Sequence, residues 1–370
     1  MADWTGLRRV RATLAHTMPD RVPVFFSAVP EVQAAIEAVT GLSIGEFEAT
    51  VLDVDYLPSY SSYTGPLKQY EDGSHDTFLG VREREQAYAS GVYQETVSCP
   101  LAMAASIREI EAYPFPEADR FDHPGAVSRM VRMPDKAFVN GYHGIMYYAW
   151  QLRGMERFLE DLVIEPDLAD ALIRKIGDFI LEHERRLLEA ADRMHADNLV
   201  CVNYSDDFGT QNGLLISPDQ FRRYFRDPIR RVCDLAHAKG RKVELHSCGA
   251  VASLVGDFLE VGVDVLNPVQ TGAAGMDAAL LKKRYGRQLV FSGGLDIQGC
   301  LGKGTADEVE RETHRLLDIL GESGGYIFGP THNIQADTPI GNIFRMYAAC
   351  FEHFGQSSKE LRSLEKECAG

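Results

Sequence analysis

His246 and Cys248, a histidine and a cysteine two residues apart, form the sharpest chemical signal in the sequence. They lie at the end of a short segment, residues 242–247, that we predict to be a β-strand. Side chains two positions apart on a strand point to the same side, so an imidazole and a thiolate can bind one metal ion together. Zinc is the natural ion for this pair. The alternative is a buried cysteine that packs as a small hydrophobic residue.

A third metal ligand is offered by His332, which follows the last predicted strand. Three protein ligands and an open fourth position are typical of a catalytic zinc site rather than a closed structural one. Glu244 has the same strand parity as His246 and lies one layer deeper. At that depth it can orient a ligand or serve as a ligand itself.

The elements that position these residues alternate between short β-branched runs and helical patterns, as in parallel β-α units. Eight such strands most economically close into a (β/α)8 TIM barrel, in which functional sites lie at the carboxyl ends of the strands. An open doubly wound sheet is the alternative, although no G-x-G-x-x-G follows the first strand. Long helices are predicted over residues 145–163 and 166–194. The predicted strands cover residues 22–28, 51–57, 137–142, 199–204, 242–247, 263–268, 288–292 and 325–329.

Polar side chains concentrate just after these strands, where the barrel hypothesis requires them. For the aspartates the alternative role is a helix cap or a turn. For Tyr142 and His143 the alternative is that they only close the pocket. We predict a substrate-binding role for Tyr142, His143, Asn203, Asp206, Asp207, Asn267, Gln270, Asp296, Asn333 and Gln335.

Residues 58–104 fit neither a strand nor a helix of the repeat. Residues 71–74 form a turn signal, and the alternation over residues 81–97 indicates an antiparallel ribbon. We expect an antiparallel insertion near the barrel mouth, where it would help to exclude water. At about 150 residues per domain the length allows two domains, but α/β barrels run longer, and we predict one domain over residues 1–370.

Composition excludes several classes of protein. The 370 residues carry 54 acidic and 38 basic side chains, a formal net charge of −16, which disfavours nucleic acid and anionic membrane as partners. The seven cysteines are scattered without a C-x-x-C pair, so a disulfide framework is not expected. Neither a signal peptide nor a run of about 18 apolar residues is present. We expect a cytoplasmic protein.

Seven short motifs together resemble the uroporphyrinogen decarboxylase superfamily, and they occur in its order over nearly the whole chain. The resemblance implies a (β/α)8 barrel, in agreement with the strand count. The motifs are Asp20-Arg21-Val22-Pro23-Val24, Tyr113-Pro114-Phe115-Pro116, Leu152-Arg153-Gly154-Met155-Glu156, Asp207-Phe208-Gly209-Thr210-Gln211, His246-Ser247-Cys248-Gly249, Gly293-Gly294-Leu295-Asp296 and His332-Asn333-Ile334-Gln335.

The superfamily contains decarboxylases of the porphyrin precursor and zinc-dependent, corrinoid-linked methyltransferases. The arginine-bearing N-terminal motif of the decarboxylases has no counterpart here, where the sequence reads Arg8-Arg9-Val10-Arg11. The His-x-Cys of the methyltransferase branch is matched by His246 and Cys248. That branch has a later cysteine where this chain has His332. Either His332 replaces that cysteine as the ligand, or the metal site differs.

The methyltransferase resemblance implies zinc, a small methylated substrate such as a methyl ether, and a corrinoid carried by a partner protein. The chain has no Asp-x-His-x-x-Gly stretch with which to bind a corrinoid itself. A homodimer is allowed. Two alternatives stay open: a cofactor-free decarboxylase of this superfamily, and a barrel that binds a small molecule or a metal without turnover.

Overall fold

The structure is a computed structural model that describes residues 4–88 and 91–368. Its strands divide between a parallel sheet and a small antiparallel sheet. In chain order the strands are β1 (Tyr56–Pro58), β2 (His75–Asp76), β3 (Arg82–Tyr88), β4 (Gly91–Ser98), β5 (Ala137–His143), β6 (Leu199–Ser205), β7 (Lys242–His246), β8 (Val265–Asn267), β9 (Val290–Ser292) and β10 (Tyr326–Ile327).

Helices follow the strands of the parallel sheet in α/β alternation. They are α1 (Gly6–Leu14), α2 (Pro30–Thr40), α3 (Ile44–Glu46), α4 (Ile107–Ala112), α5 (His123–Val131), α6 (Ile145–Arg153), α7 (Met155–Ile164), α8 (Pro166–Arg193), α9 (Pro218–Gln220), α10 (Arg226–Ala238), α11 (Val255–Val261), α12 (Ala278–Tyr285), α13 (Cys300–Lys303), α14 (Ala306–Leu320), α15 (Ile340–His353) and α16 (Lys359–Cys368).

The parallel sheet has seven strands in the order β1-β5-β6-β7-β8-β9-β10. Because consecutive strands are neighbours, the sheet grows in one direction and curls, and the fold is TIM-barrel-like. The central strands agree with the predicted ones: β6 begins with a buried apolar run, and the interior residues of β7 are buried. The order excludes the doubly wound alternative for these seven strands, because that order reverses at a switch point.

The predicted first strand, residues 22–28, is not a continuous strand. It makes isolated parallel bridges, Val24 to Phe328 and Ala28 to Ile334. Pro23 has no N–H to donate to a ladder, which interrupts the pairing. The segment still contacts both edges of the sheet. The Phe328 N–H donates to the Pro23 carbonyl (2.8 Å), and the Asp55 N–H donates to the Val24 carbonyl (2.9 Å).

Two further boundaries differ from the prediction. The second strand was predicted over residues 51–57 but begins only at Tyr56, because a π-helical turn occupies Phe47–Val51 and Asp53 has a φ of 43°. The helix predicted over residues 145–163 is divided into α6 and α7 at Gly154. That glycine has a φ of 86°, which an L side chain rarely adopts. The helix predicted over residues 166–194 is confirmed as α8.

The insertion contains the predicted antiparallel ribbon. Strands β2, β3 and β4 form a three-stranded antiparallel sheet. The Tyr93 hydroxyl on β4 donates to Oε1 of Gln335 (2.7 Å), which follows β10. The ribbon is therefore attached to the carboxyl end of the parallel sheet. All seven cysteines are free, as expected. Within the described residues, no helix is long and apolar enough to cross a membrane.

Candidate metal centre and its cavity

A cavity of about 510 Å³ lies at the carboxyl ends of the parallel strands. Its lining combines polar side chains from β5 to β9 with an aromatic wall from the N-terminal third of the chain. Seven of the residues singled out in the sequence line it, namely His143, Asn203, Glu244, His246, Asn267, His332 and Asn333.

His246, the last residue of β7, is held by a chain of hydrogen bonds. The Asn267 amide nitrogen donates to Ser292 Oγ (2.9 Å), so Oδ1 of Asn267 faces Nδ1 of His246 (2.7 Å) and accepts its proton. This assigns the neutral His246 tautomer that is protonated on Nδ1. The lone pair on Nε2 is then available to a metal, and Asn267 plays the orienting role that such a ligand needs.

Cys248 lies beside that lone pair, with 3.4 Å between its Sγ and His246 Nε2. The Cys248 backbone N–H donates to Oδ1 of Asp207 (2.8 Å), and the Gly249 N–H donates to Oε1 of Gln270 (2.6 Å). Gly249 has a φ of 88°, and a Cβ there would lie 2.6 Å from the Gly209 backbone. A glycine is therefore required immediately after the cysteine.

His332 completes a group of three side chains. One potential ligand atom from each of His246, Cys248 and His332 lies within 4.8 Å of the others, a separation that one ion can span. Two imidazoles and a thiolate match the ligands of catalytic zinc. Glu244, which the sequence offered as a further ligand, is not part of this group among the described residues.

The surroundings of this group shift its proton equilibria. Removal from solvent raises the pKa of the Cys248 thiol to about 12, and the negative charge of Asp207 acts in the same direction. Removal from solvent also lowers the pKa of His246, against an opposing effect from Asp207. The imidazole is thus kept in its neutral, ligating form. The thiol must lose a proton when a metal binds.

Glu244 and Asn203 face each other across β6 and β7. The Asn203 amide nitrogen donates to Oε1 of Glu244 (2.9 Å). Burial raises the pKa of Glu244 to about 7, while the hydrogen bond from Asn203 and the nearby Tyr56 hydroxyl oppose the shift. The pair forms a polar layer of the cavity beneath the three potential ligands.

The predicted aspartates and Gln270 lie outside the cavity lining as the described residues define it, and each accepts backbone hydrogen bonds. Asp206 is buried and accepts from the Met146 and Tyr147 N–H groups (3.0 and 2.9 Å), which caps α6. Burial raises the pKa of Asp206 to about 7. Asp296 accepts from the N–H groups of residues 298 and 299 (3.1 and 2.9 Å). Their role toward a substrate stays a prediction.

The remaining predicted residues surround the mouth. His143 is exposed and stacks on Tyr147, with ring centroids 3.8 Å apart. Asn333 accepts a hydrogen bond from the Ser27 hydroxyl. Gln335 lies beyond the cavity lining and contacts the ribbon. The backbone of Tyr142 belongs to β5, but its side chain lies outside the part that the structure describes.

The aromatic wall was not predicted from the sequence. Tyr56 could have been indicated by its place in the strand predicted over residues 51–57. The other aromatic residues come from irregular segments and helices whose positions depend on tertiary packing. The wall consists of Phe25, Phe26, Tyr56, Tyr60, Tyr63, Phe78, Phe121 and Tyr148.

Comparisons with solved structures give the fold independent support. A methyltransferase from Methanosarcina mazei is 18% identical, and the alignment covers 95% of this chain and 99% of that one with a TM-score of 0.64. Two sugar epimerases align more weakly. A 3-keto-D-glucoside 4-epimerase from E. coli has 16% identity, 67% and 95% coverage and a TM-score of 0.35. A D-psicose 3-epimerase from Clostridium cellulolyticum H10 has 12% identity, 70% and 84% coverage and a TM-score of 0.37.

A comparison with curated protein sequences gives no match. The sequence profile of the uroporphyrinogen decarboxylase (URO-D) family, however, matches residues 128–353, more than half of the chain. The matched region includes all three potential metal ligands and strands β5 to β10. The chain therefore belongs to the uroporphyrinogen decarboxylase family.

Proposed function

We propose that this protein is a zinc-dependent methyltransferase that moves a methyl group from a small methylated donor, such as a methyl ether, to a corrinoid protein. The observation that carries the proposal is the grouping of His246, Cys248 and His332 within 4.8 Å beside the cavity. The fold similarity to a methyltransferase over nearly its whole length supports the same class of activity. The proposal includes a complete (β/α)8 barrel in one domain, which the bridges made by residues 22–28 would close.

The three side chains fit zinc by their donor atoms. His246 offers Nε2 because its Nδ1–H donates a hydrogen bond to Asn267, and Cys248 offers sulfur 3.4 Å away. Zinc bound there would polarise the bond between the methyl group and its leaving atom. Glu244 is kept for the cavity rather than for the metal, because Asn203 occupies one of its oxygens.

The rest of the site would hold the donor and exclude water. The aromatic wall packs against its apolar part, and the ribbon, attached through Tyr93 and Gln335, limits access from the mouth. The polar residues that we propose to position the donor are Asn203, Asp207, Asn267, Asp296 and Gln335. Of these, Asn203 and Asn267 line the cavity, and the other three lie outside its lining.

The donor set also favours one direction of transfer. An imidazole donates less charge to a metal than a thiolate does, so two imidazoles and one thiolate make a stronger Lewis acid than two thiolates. Such a site suits a poor leaving group, as in a methyl ether, better than the activation of a thiol acceptor. We therefore propose demethylation of a small donor. A corrinoid partner is required because the chain has no corrinoid-binding motif of its own.

Metal analysis of the purified protein tests the site. We expect one zinc per chain, and we expect Cys248→Ser to lower the zinc content sharply. Cys368→Ser is the matched control, because Cys368 is exposed near the C-terminus and far along the chain from the site. Unchanged zinc in Cys248→Ser would exclude this ligand set. A wild type without metal would favour the cofactor-free decarboxylase or the binding protein.

An assay with reduced corrinoid protein tests the direction. Methyl ethers, methylamines and methyl thioethers are offered as donors, beside a thiol offered as acceptor. We expect the corrinoid to become methylated from a small donor. Methylation of the thiol from methylcorrinoid, without demethylation of any donor, would reverse the proposed direction. The cytoplasmic location and the homodimer stay predictions.

A further inference from the structure

The described cavity lining contains an acidic side chain but no lysine or arginine. Among the described residues that line it, the single carboxyl group is that of Glu244. A substrate carboxylate in the deep part of this cavity, away from the potential metal ligands, would lose water without gaining a lysine or arginine partner, which is costly. Eight phenylalanine and tyrosine side chains offer instead a large apolar surface that suits a ring. The lining therefore disfavours anionic substrates and favours an uncharged ring.

One polar group in the cavity has a fixed orientation and a free acceptor. The Asn203 NH₂ group donates to Oε1 of Glu244 (2.9 Å), which turns the amide oxygen away from Glu244. Oε1 can accept this bond whether or not the other carboxyl oxygen holds a proton, so the orientation is independent of titration. The Asn203 Oδ1 has no hydrogen-bond partner among the described residues, and Asn203 lines the cavity. It offers an acceptor to a ligand that carries an O–H or N–H group.

The depth of this acceptor is set by the strand register. Asn203 pairs with Glu244, and Ser205 pairs with His246, so Asn203 lies one inward-facing layer below the potential metal ligands. Two residues on a strand correspond to about 7 Å, at about 3.3 Å per residue. A ligand with one group at His246 and another at Asn203 must separate them by several ångströms, more than the width of a six-membered ring itself. Substituents at opposite positions of the ring meet this requirement.

We propose that the methyl donor is an uncharged aromatic methyl ether with a hydroxyl group opposite the methoxy group, and that Asn203 selects it by accepting a hydrogen bond from that hydroxyl. Glu244 is a positioning residue that acts through Asn203. The inference rests on the proposed function for the identity of the reacting group, since the ether oxygen must lie at the metal. The hydroxyl selection and the rejection of carboxylates rest on the cavity alone.

Equilibrium binding by calorimetry tests the selection with the metal-free protein, in which no zinc can pair with a carboxylate, and without any corrinoid protein. The three ligands are 4-methoxyphenol, 1,4-dimethoxybenzene, which lacks the donor hydrogen, and 4-methoxybenzoate, which carries a negative charge. We expect 4-methoxyphenol to bind about tenfold more tightly than 1,4-dimethoxybenzene, as one hydrogen bond allows. We expect 4-methoxybenzoate to bind more weakly than either neutral ligand.

Three variants identify the residues. Asn203→Ala should abolish the preference for 4-methoxyphenol over 1,4-dimethoxybenzene while both still bind. Glu244→Gln should keep the preference because its side-chain carbonyl still accepts from Asn203, whereas Glu244→Leu should reduce it because the amide is free to rotate. The preference is a ratio within one variant, so a change in the amount of folded protein does not alter it.

Three results would overturn the inference: a preference that survives in Asn203→Ala, 4-methoxybenzoate binding as tightly as 4-methoxyphenol, or failure of all three ligands to bind. None of these decides the proposed function. That depends on the zinc content of Cys248→Ser and on methyl transfer to the corrinoid. Conversely, selective binding of 4-methoxyphenol by a protein that transfers no methyl group would support the cavity inference and overturn the proposed function.

Discussion

The two ends of the curled sheet differ in how their charged and polar side chains are paired. At the N-terminal end, Arg9 and Arg21 form a buried ion-pair network with aspartates that precede the strands. Arg9 Nε lies 2.7 Å from Asp20 Oδ1, and Arg9 Nη1 lies 3.1 Å from Asp55 Oδ1. Arg21 pairs with Asp55, and their side chains are 1% and 0% exposed. Each charge in this network has a partner of opposite sign.

At the carboxyl end, the described cavity lining has no lysine or arginine, and its polar groups keep acceptors or lone pairs free. His246 Nε2 contacts only the thiol of Cys248 among the hydrogen bonds described, and Asn203 has a free Oδ1. A network with every group paired stabilises a fold but can bind nothing else, whereas a site must leave some groups unpaired. The comparison indicates that the N-terminal end serves stability and the carboxyl end serves binding.

The largest effect is expected from breaking the N-terminal network. Asp55→Ala removes a fully buried carboxylate and leaves the buried Arg21 paired only with the partly exposed Asp53. We expect a loss of about 3–5 kcal/mol in the free energy of unfolding, measured by urea denaturation, because a buried charge that loses its buried partner is costly. The folded fraction should still bind metal. Asp219→Ala, which breaks an exposed ion pair with Arg222, should leave the urea midpoint nearly unchanged. Equal losses in the two variants would contradict the assignment of stability to this end.

A buried carboxyl group behind β5 gives the next effect, and it depends on pH. Burial raises the pKa of Glu184 to about 8, and its two oxygens accept from the Asn140 amide (3.2 and 3.0 Å). The folded protein therefore holds this proton up to about pH 8, whereas the unfolded chain releases it near pH 4.3. Between these values the folded state binds more protons, so this group makes stability fall as pH rises, by at most about 1.4 kcal/mol per pH unit.

Glu184→Gln should remove this dependence, because glutamine has no proton to lose and can still accept from Asn140. The variant should become increasingly more stable than the wild type from about pH 5 to pH 8, as measured by urea denaturation at each pH. The exposed Glu156→Gln is the control and should follow the wild type throughout. A constant difference between Glu184→Gln and wild type across this range would show that the carboxyl group is ionised in the fold.

At the carboxyl end the expected effect moves from stability to metal affinity. Asn267→Leu removes the acceptor that holds the Nδ1 proton of His246. Loss of such an orienting partner typically lowers metal affinity about 10- to 100-fold. Asn267→Asp is the matched control, because its carboxylate can still accept from Nδ1. Zinc competition with a chromophoric chelator measures both variants. Equal affinity in Asn267→Leu and wild type would mean that Asn267 does not orient the ligand.

The features that the sequence predicts correctly are those set by residues close together in the chain. The pair His246 and Cys248 is recognisable because the two residues lie two positions apart at the end of one strand. His332 required only that two strand ends meet at one end of a sheet, and parallel topology ensures this. The central strands were predicted for the same reason. The prediction of a continuous strand over residues 22–28 is wrong. The segment is apolar, but Pro23 has no N–H to donate to a ladder.

Other features could not be predicted because they depend on what packs above a residue. Asn203 lies near the carboxyl end of β6 and faces the cavity, whereas Asp206 directly follows β6 and caps α6. The position of the α6 N-terminus decides the role of Asp206. The aromatic wall is similar, since Tyr60, Tyr63 and Phe78 come from the insertion. No periodicity in those segments indicates which side chains turn inward.

The smallest effect is expected where the insertion meets the carboxyl end. The hydrogen bond from Tyr93 to Gln335 (2.7 Å) joins β4 to the segment after β10, and Tyr93 is exposed. Tyr93→Phe removes this bond but keeps the ring, so the ribbon should detach more often, by roughly two- to tenfold in population. Limited proteolysis under conditions in which cleavage is slow should report that change as faster cutting within residues 91–98.

Tyr70→Phe removes a bond to Asp76 that lies within the insertion, and it should not accelerate cutting there. If both variants are cut at the wild-type rate, the ribbon is held at the mouth by its other contacts. If Tyr93→Phe alone is cut faster, the carboxyl end closes through contacts weak enough to open for a donor, unlike the fully paired network at the opposite end.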